Sequence, residues 1–231
     1  MGSYKCIFFD LDHTLWDYDT NAAETLGEMF DEHLLMSRGV PSLEKFLAAF
    51  TEVNARLWDL YDRELITSDI IRKERFHQIL TSFAIHDPSF CEALSVEYLQ
   101  RCPRKGNLMP HALETLEYLS EKYDLTIITN GFEEIQHVKL CAGKVDHFFD
   151  HIITSQKAGC KKPAKQIFEY ARQINNIGFH EAIMIGDNLV TDIGGARNAG
   201  IDTVYFNPVG TAHQETVNYE IRSLRELLSF L

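Results

Sequence analysis

Cys6-Ile7-Phe8-Phe9-Asp10-Leu11-Asp12-His13-Thr14 is the stretch that decides the fold. Four apolar residues in unbroken succession suit a short strand buried on both faces, as in a parallel sheet, and the run stops abruptly at two acids. Similar runs recur at Leu125–Thr129, Ile183–Ile185 and Thr203–Phe206, with Ile152–Thr154 a weaker fifth. Helical periodicities at Ala112–Lys122, Gln166–Ile174 and Val190–Ala199 fall between most of them. Strands alternating with helices form βαβ units, so the expected fold is α/β, a doubly wound, Rossmann-like parallel sheet.

The interval between the first two strands is about 115 residues, far beyond an ordinary βα crossover. It carries helical patterns at Ala22–Leu35, Leu43–Leu60, Ser68–Phe83 and Ser89–Gln100. An inserted all-helical subdomain, a cap, over 17–100 accounts for it. Residues 1–16 and 101–231 then form the core. Turn chemistry at Asp17–Asn21 opens the insertion, and Cys102-Pro103 through Pro110 returns the chain to the sheet.

The length of 231 residues suits one large domain or a core with a companion, and 45% hydrophobic residues suffice for a core. A net charge of −12 argues against coating a nucleic-acid polymer or an anionic membrane, which requires clustered cations. Much of that charge is local, since residues 17–100 hold 16 acids and 7 bases. Five widely spaced cysteines without a C-x-x-C pair argue against a disulfide framework or a zinc knuckle. No apolar run approaches a membrane span, and the N-terminus lacks the apolar stretch of a signal peptide. Met1-Gly2 matches the start of an acylation signal, but Cys6 stands where that signal needs Ser or Thr. A soluble cytoplasmic protein is expected; its oligomeric state is open.

Residues just past the carboxyl ends of parallel strands line the ligand crevice. Asp10 and Asp12 there would repel one another unless a cation or proton compensates, which points to metal binding or acid/base work; a solvated turn is as good a reading of the pair alone. Thr129-Asn130-Gly131 supplies a hydroxyl and backbone N–H groups before a helix, an oxyanion cradle or an ordinary turn. From Lys157 to Lys165 there are four lysines and no acid. Lys162, just before Pro163, could reach a phosphate as a compact charge; most lysine-rich loops are simply solvated. Gly186-Asp187-Asn188, with Asp192 beyond, either caps a helix or completes a hard oxygen cluster suited to Mg²⁺.

Taken in order, Asp10-Leu11-Asp12-His13-Thr14, Thr129-Asn130-Gly131, Lys162-Pro163 and Gly186-Asp187 with Asp192 resemble the haloacid dehalogenase superfamily in its phosphohydrolase branch, over residues 6 to about 208. The resemblance implies a Mg²⁺-dependent phosphomonoesterase working through an aspartyl-phosphate on a small phosphate ester. By it, Asp10 is the nucleophile and Asp12 the general acid/base. The Asp10 carboxylate, the Asp12 carbonyl and Asp187 hold Mg²⁺. Thr129, the Asn130 N–H and Lys162 hold phosphoryl oxygens, and Asp192 orients Lys162 or the metal's waters. Asp10 through Asp17, Thr129 through Phe132, Asp202-Thr203 through Asn207-Pro208, Asn54 through Trp58 and Arg75-Phe76 are similar to the superfamily's pyrimidine 5′-nucleotidase group. That similarity implies pyrimidine nucleoside 5′-monophosphates as substrates.

Three other functions fit parts of the pattern. A phosphatase or phosphomutase for another organophosphate, such as a sugar phosphate, needs the same four motifs. A 2-haloacid dehalogenase would not need Asp12 or Asp187. A phospho-accepting receiver is about half this length and pairs adjacent acids. His147 and His151 stand at i, i+4 with no third ligand evident and read as surface residues. Trp16, Tyr18, Trp58 and Tyr61 could stack on a nucleobase, although packing is the commoner role of aromatics.

Overall fold

The computed structural model describes residues 4–231, so Met1 and Gly2 lie outside the described residues. Among the described residues the sheet has six strands: β1 (Cys6–Phe9), β2 (Asp124–Thr129), β3 (His151–Thr154), β4 (Ala182–Gly186), β5 (Asp202–Phe206) and β6 (Tyr219–Ile221). Their order is β3-β2-β1-β4-β5-β6 and every pairing is parallel, so the doubly wound sheet expected from the sequence is the one observed. Strand β6 is additional to the five expected. It is three residues long with Glu220 exposed, too short for a periodic apolar signal.

All four side chains of β1 are fully buried, because the central strand is covered on both faces. Cys6 and Phe8 enter a cluster with Ile128, Met184 and Phe168, the last from a helix over Lys165–Ile174. On the other face Phe9 meets Phe149 edge-on, with ring centroids 6.5 Å apart.

After β4 the structure departs from the single helix expected over Val190–Ala199. A π-helical turn, Leu189–Gly194, precedes a short α-helix, Gly195–Asn198. The Asn188 side chain caps this turn by accepting from the N–H groups of Val190 and Thr191 at 2.9 and 3.0 Å, while its carbonyl accepts from the Ile193 N–H at 3.2 Å, the i+5 bond of a π-turn. Gly195 lies so close to Phe168 and Pro163 that a Cβ would come within 2.8 and 2.9 Å of them.

The chain divides into two compact units, one made of the residues up to Tyr18 together with Gly106–Leu231, the other of Asp19–Lys105. The second is helical: α1 (Tyr18–Glu32, entering from the first unit), α2 (Leu43–Asp62), α3 (Ser68–Ser82) and α4 (Pro88–Arg101). The turn expected at Asp17–Asn21 is instead the first turn of α1. Asp19 favours that helix N-terminus, and Asn21 is buried inside the helix. Ser42 and Asp87 cap α2 and α4 by accepting from the N–H groups of Lys45 and Phe90. Phe50, Phe76 and Tyr98 form the aromatic centre of this unit, with buried Arg75 5.2 Å from the Tyr98 ring.

Arg101 reaches Glu28, Glu32 and Glu97 at 2.6–2.7 Å, and Lys105 reaches Glu28 at 2.5 Å. These two cations lie beyond 17–100 in sequence, yet they compensate its acids. All five cysteines are free thiols. Among the described residues no helix is long and apolar enough to cross a membrane.

Candidate active site

The carboxyl ends of β1, β2 and β4 are adjacent, so residues far apart in sequence converge there. Asp10 directly follows β1, and its N–H donates to the Ile185 carbonyl at 2.9 Å, fixing it against β4. Beyond it the chain loops tightly. The Leu11 carbonyl accepts from the N–H groups of both Leu15 and Trp16, and His13 adopts a left-handed φ of 63°. This loop carries Thr14 back to Asp187, whose Oδ1 accepts from the Thr14 hydroxyl at 3.1 Å.

Lys162 is at the centre of the arrangement and is almost wholly buried. Its Nζ lies 2.5 Å from Asp10 Oδ1 and 2.6 Å from Asp192 Oδ1, and donates to the Ile128 carbonyl at 2.7 Å. Asn130 locks the lysine's backbone in place. Its side-chain amide donates to the Lys162 carbonyl at 2.9 Å, and its Oδ1 accepts from the Lys162 N–H at 2.8 Å. Asp192 is presented by the π-helical turn and also accepts from the Asn188 N–H at 3.0 Å. Position 186 must be glycine for this approach, since a Cβ there would run into the Asp192 carboxylate. Thr129 is buried at the end of β2, where its Oγ1 accepts from the Gly131 N–H at 3.0 Å.

Two buried acids, Asp10 and Asp192, thus share one buried ammonium, with the half-buried Asp187 beside them. Burial, the largest influence, raises Asp10 well above the usual carboxylate range; Lys162 opposes this, while Asp192 and Asp187 reinforce it. Burial and then the charge of Asp192 push Asp187 from 3.8 up to about 7, against the hydrogen bond from Thr14. Burial alone would favour a neutral Lys162, but Asp10 and Asp192 override it and hold the ammonium charged. Carboxylate oxygens of Asp10, Asp187 and Asp192 lie within 4.8 Å of one another. Hard oxygen donors with uncompensated negative charge fit a divalent cation such as Mg²⁺.

In the metal-free protein the raised Asp187 carries a sign that can be measured. The folded state binds that proton more tightly than the unfolded chain does. Stability attributable to this site is therefore present at low pH and is lost as pH rises from about 4 to about 7. Thermal unfolding in chelator across that window should show wild type falling relative to Asp187→Asn. Parallel curves would contradict the shift.

Asp12 is held by a residue the sequence reading did not single out. Lys139, on a helix over Glu133–Ala142, places its Nζ 2.6 and 2.7 Å from the two carboxylate oxygens of Asp12. In the structure the buried face of that helix is Gln136, Lys139 and Leu140, with two polar residues in core positions. Of the aromatics, Trp16 and Tyr18 lie beside Lys139, within 4.6 and 5.9 Å of its Nζ. Trp16 is fully buried, Trp58 and Tyr61 pair edge-on within the helical unit, and His147 packs on Phe148.

Comparisons with known proteins agree with this geometry. The family model of haloacid dehalogenase-like hydrolases matches residues 4–200. Pyrimidine 5′-nucleotidase PynA of Streptococcus pneumoniae is 32% identical, over 99% of this chain and 95% of its own. A glyceraldehyde 3-phosphate phosphatase of Pyrococcus furiosus is 30% identical, over 100% of this chain and 94% of its own. The crystal structure of the HAD-hydrolase YfnB of Bacillus subtilis, described as bound to magnesium and revealing interdomain movement, superposes with a TM-score of 0.87. It is 28% identical, with 98% of this chain and 97% of that one covered. A match over most of the chain, with site residues converging at the strand ends, means that this protein is an enzyme of the haloacid dehalogenase-like hydrolase family.

Proposed function

We propose that the chain is a Mg²⁺-dependent phosphomonoesterase that hydrolyses nucleoside 5′-monophosphates, pyrimidine ones preferred, through an aspartyl-phosphate. The observation that carries this reading is Asp10, buried and bonded to Lys162 at the centre of the acid cluster. A carboxylate so placed can attack phosphorus while the ammonium beside it binds a phosphoryl oxygen. As the Asp10 oxygen bonds to phosphorus, the bond to the leaving oxygen breaks, and Asp12 supplies its proton. Asp12 then takes a proton from water, which attacks the aspartyl-phosphate, releases phosphate and restores Asp10.

Thr129, the Asn130 N–H and Lys162 hold the phosphoryl oxygens, and Asp192 fixes Lys162 through its 2.6 Å ion pair. Mg²⁺, held by the Asp10 carboxylate, the Asp12 carbonyl and Asp187, would supply charge neutralisation to nucleophile and phosphoryl group. The sheet-bearing unit serves as the catalytic core, and the helical unit Asp19–Lys105, shifted from the 17–100 expected from the sequence, is the element that selects the leaving group. Five free thiols favour a reducing, cytoplasmic setting, and the −12 charge favours small substrates over nucleic-acid polymers.

The 32% identity with PynA supports the nucleotidase assignment. A sugar- or triose-phosphate phosphatase is the second reading, favoured by the 30% identity with the Pyrococcus enzyme. Dehalogenation is disfavoured, because that chemistry leaves Asp187 and the lysine-bound Asp12 without a task.

A panel of pyrimidine and purine 5′-monophosphates beside sugar phosphates, each with Mg²⁺ and with chelator, tests the proposal. Pyrimidine 5′-monophosphates should give the highest kcat/KM, and chelator should remove turnover. Equal rates across the panel would remove the nucleotidase assignment, and full activity in chelator would remove the metal.

A further inference from the structure

We propose that Lys139 is a positioning residue for the acid/base step, holding the Asp12 carboxylate in the orientation from which it exchanges protons with leaving group and water. The inference rests on the assignment of Asp12 as general acid/base. The Lys139 side chain is 4% exposed, against 25% for Asp12, so the lysine comes from the protein interior to meet a carboxylate at the site. Its Nζ contacts both carboxylate oxygens, at 2.6 and 2.7 Å. A single donor engaged by both oxygens resists rotation of the carboxylate plane. The same Nζ lies 4.6 Å from the Trp16 ring centroid and 5.9 Å from that of Tyr18. Those aromatic faces attract the cation and restrict where it can move.

A fully buried amine with no role beyond packing would be a costly substitute for leucine at this position, since burying a charge is unfavourable unless it is paired. Here the partner is the one acid of the first motif that Lys162 does not hold. The two buried lysines divide the work: Lys162 fixes Asp10 and Asp192, and Lys139 fixes Asp12. An acid/base group must present one oxygen at a defined point twice per turnover, to the departing oxygen and then to water. Misplacement of even a fraction of an ångström weakens both transfers.

The test compares Lys139→Met, Lys139→Arg, Asp12→Ala and the double variant Asp12→Ala/Lys139→Met. Substrates are a simple alkyl phosphate, whose leaving group needs a proton, and p-nitrophenyl phosphate, whose leaving group does not. Single-turnover phosphorylation and dephosphorylation are read separately. Lys139→Met should slow phosphorylation by the alkyl ester about 10–100-fold, within the range of acid/base contributions, and barely affect phosphorylation by p-nitrophenyl phosphate. Phosphoenzyme should accumulate with p-nitrophenyl phosphate, for which only dephosphorylation is slowed. Lys139→Arg should restore part of the rate, and Lys139→Met should add less than about twofold in the Asp12→Ala background, because coupled residues are not additive.

Equal losses on the two substrates, or a full further loss in the double variant, would show a structural role and overturn the inference. Should Lys139→Met fail to fold, Lys139→Gln, which keeps one donor on a shorter stem, takes its place with the same expected signature. The two readings fail differently. If Asp12→Ala shows the leaving-group signature and Lys139→Met does not, only the role of Lys139 falls. If Asp12→Ala itself shows none, the acid/base assignment falls with it.

Discussion

Asp10→Asn should abolish turnover, by at least about 10⁴-fold in kcat, while leaving the fold at least as stable as wild type. The amide keeps the carboxylate's shape but cannot form an acyl-phosphate that water then cleaves. The stability expectation follows from burial, since Asp10 is held well above the usual carboxylate range and its charged form is disfavoured in the folded state. Removing that charge relieves repulsion from Asp187 and Asp192. Lys162 keeps its 2.6 Å partner in Asp192. Steady-state hydrolysis with thermal unfolding on the same preparation reads both quantities. Retained activity would remove Asp10 as nucleophile, and a marked drop in melting temperature would mean that the acid is a structural partner of Lys162 instead.

Lys162→Met should give the largest stability loss of any single substitution at the site. The methionine fills the channel but leaves Asp10 and Asp192 buried without their cation. Removing one partner of a buried pair typically costs about 3–5 kcal/mol. In a chain of this size that corresponds to a fall of roughly 10 °C in melting temperature. Adding Asp192→Asn should recover part of the loss, because one of the orphaned charges disappears with it. Activity should stay lost in both variants. If Lys162→Met melts with wild type, the ammonium does not hold these acids together in solution.

How much of this was legible in the sequence depends on what kind of position a residue occupies. Asp10, Thr129 and Asp187 could be found because each lies at or just beyond the end of an apolar run, and the end of a parallel strand is a ligand-facing place whatever the tertiary detail. Lys162 could be found through Pro163 and the lack of acids around it, although its burial could not. The lysine becomes an interior residue only because Asn130, 32 positions earlier, pins its backbone from both sides. Lys139 was missed because a lysine inside a helix is ordinarily a solvated one, and only the turn of Glu133–Ala142 towards the loop after β1 makes it otherwise. The helix after β4 was misjudged for a related reason. Periodicity records which residues are apolar, not whether the backbone closes the i+5 bond, Ile193 N–H to the Asn188 carbonyl, of the π-helical turn that carries Asp192. Strand β6 had too few residues to carry a pattern.

The strand order has a consequence for the life of the molecule before it is complete. The central strand is the first of the six to be made, and Asp10 follows it at once. The ammonium that pairs with Asp10 is 152 residues further along, and the flanking strand that completes the acid cluster comes later still. A ribosome-bound chain that has exposed β1, β2 and β3 holds Asp10 with no Asp187 or Asp192 to accompany it. Its first strand is open along the edge that β4 will cover. Until β4 has emerged the nascent polypeptide keeps an unpaired strand edge, and that is the interval in which a chaperone would have most to protect.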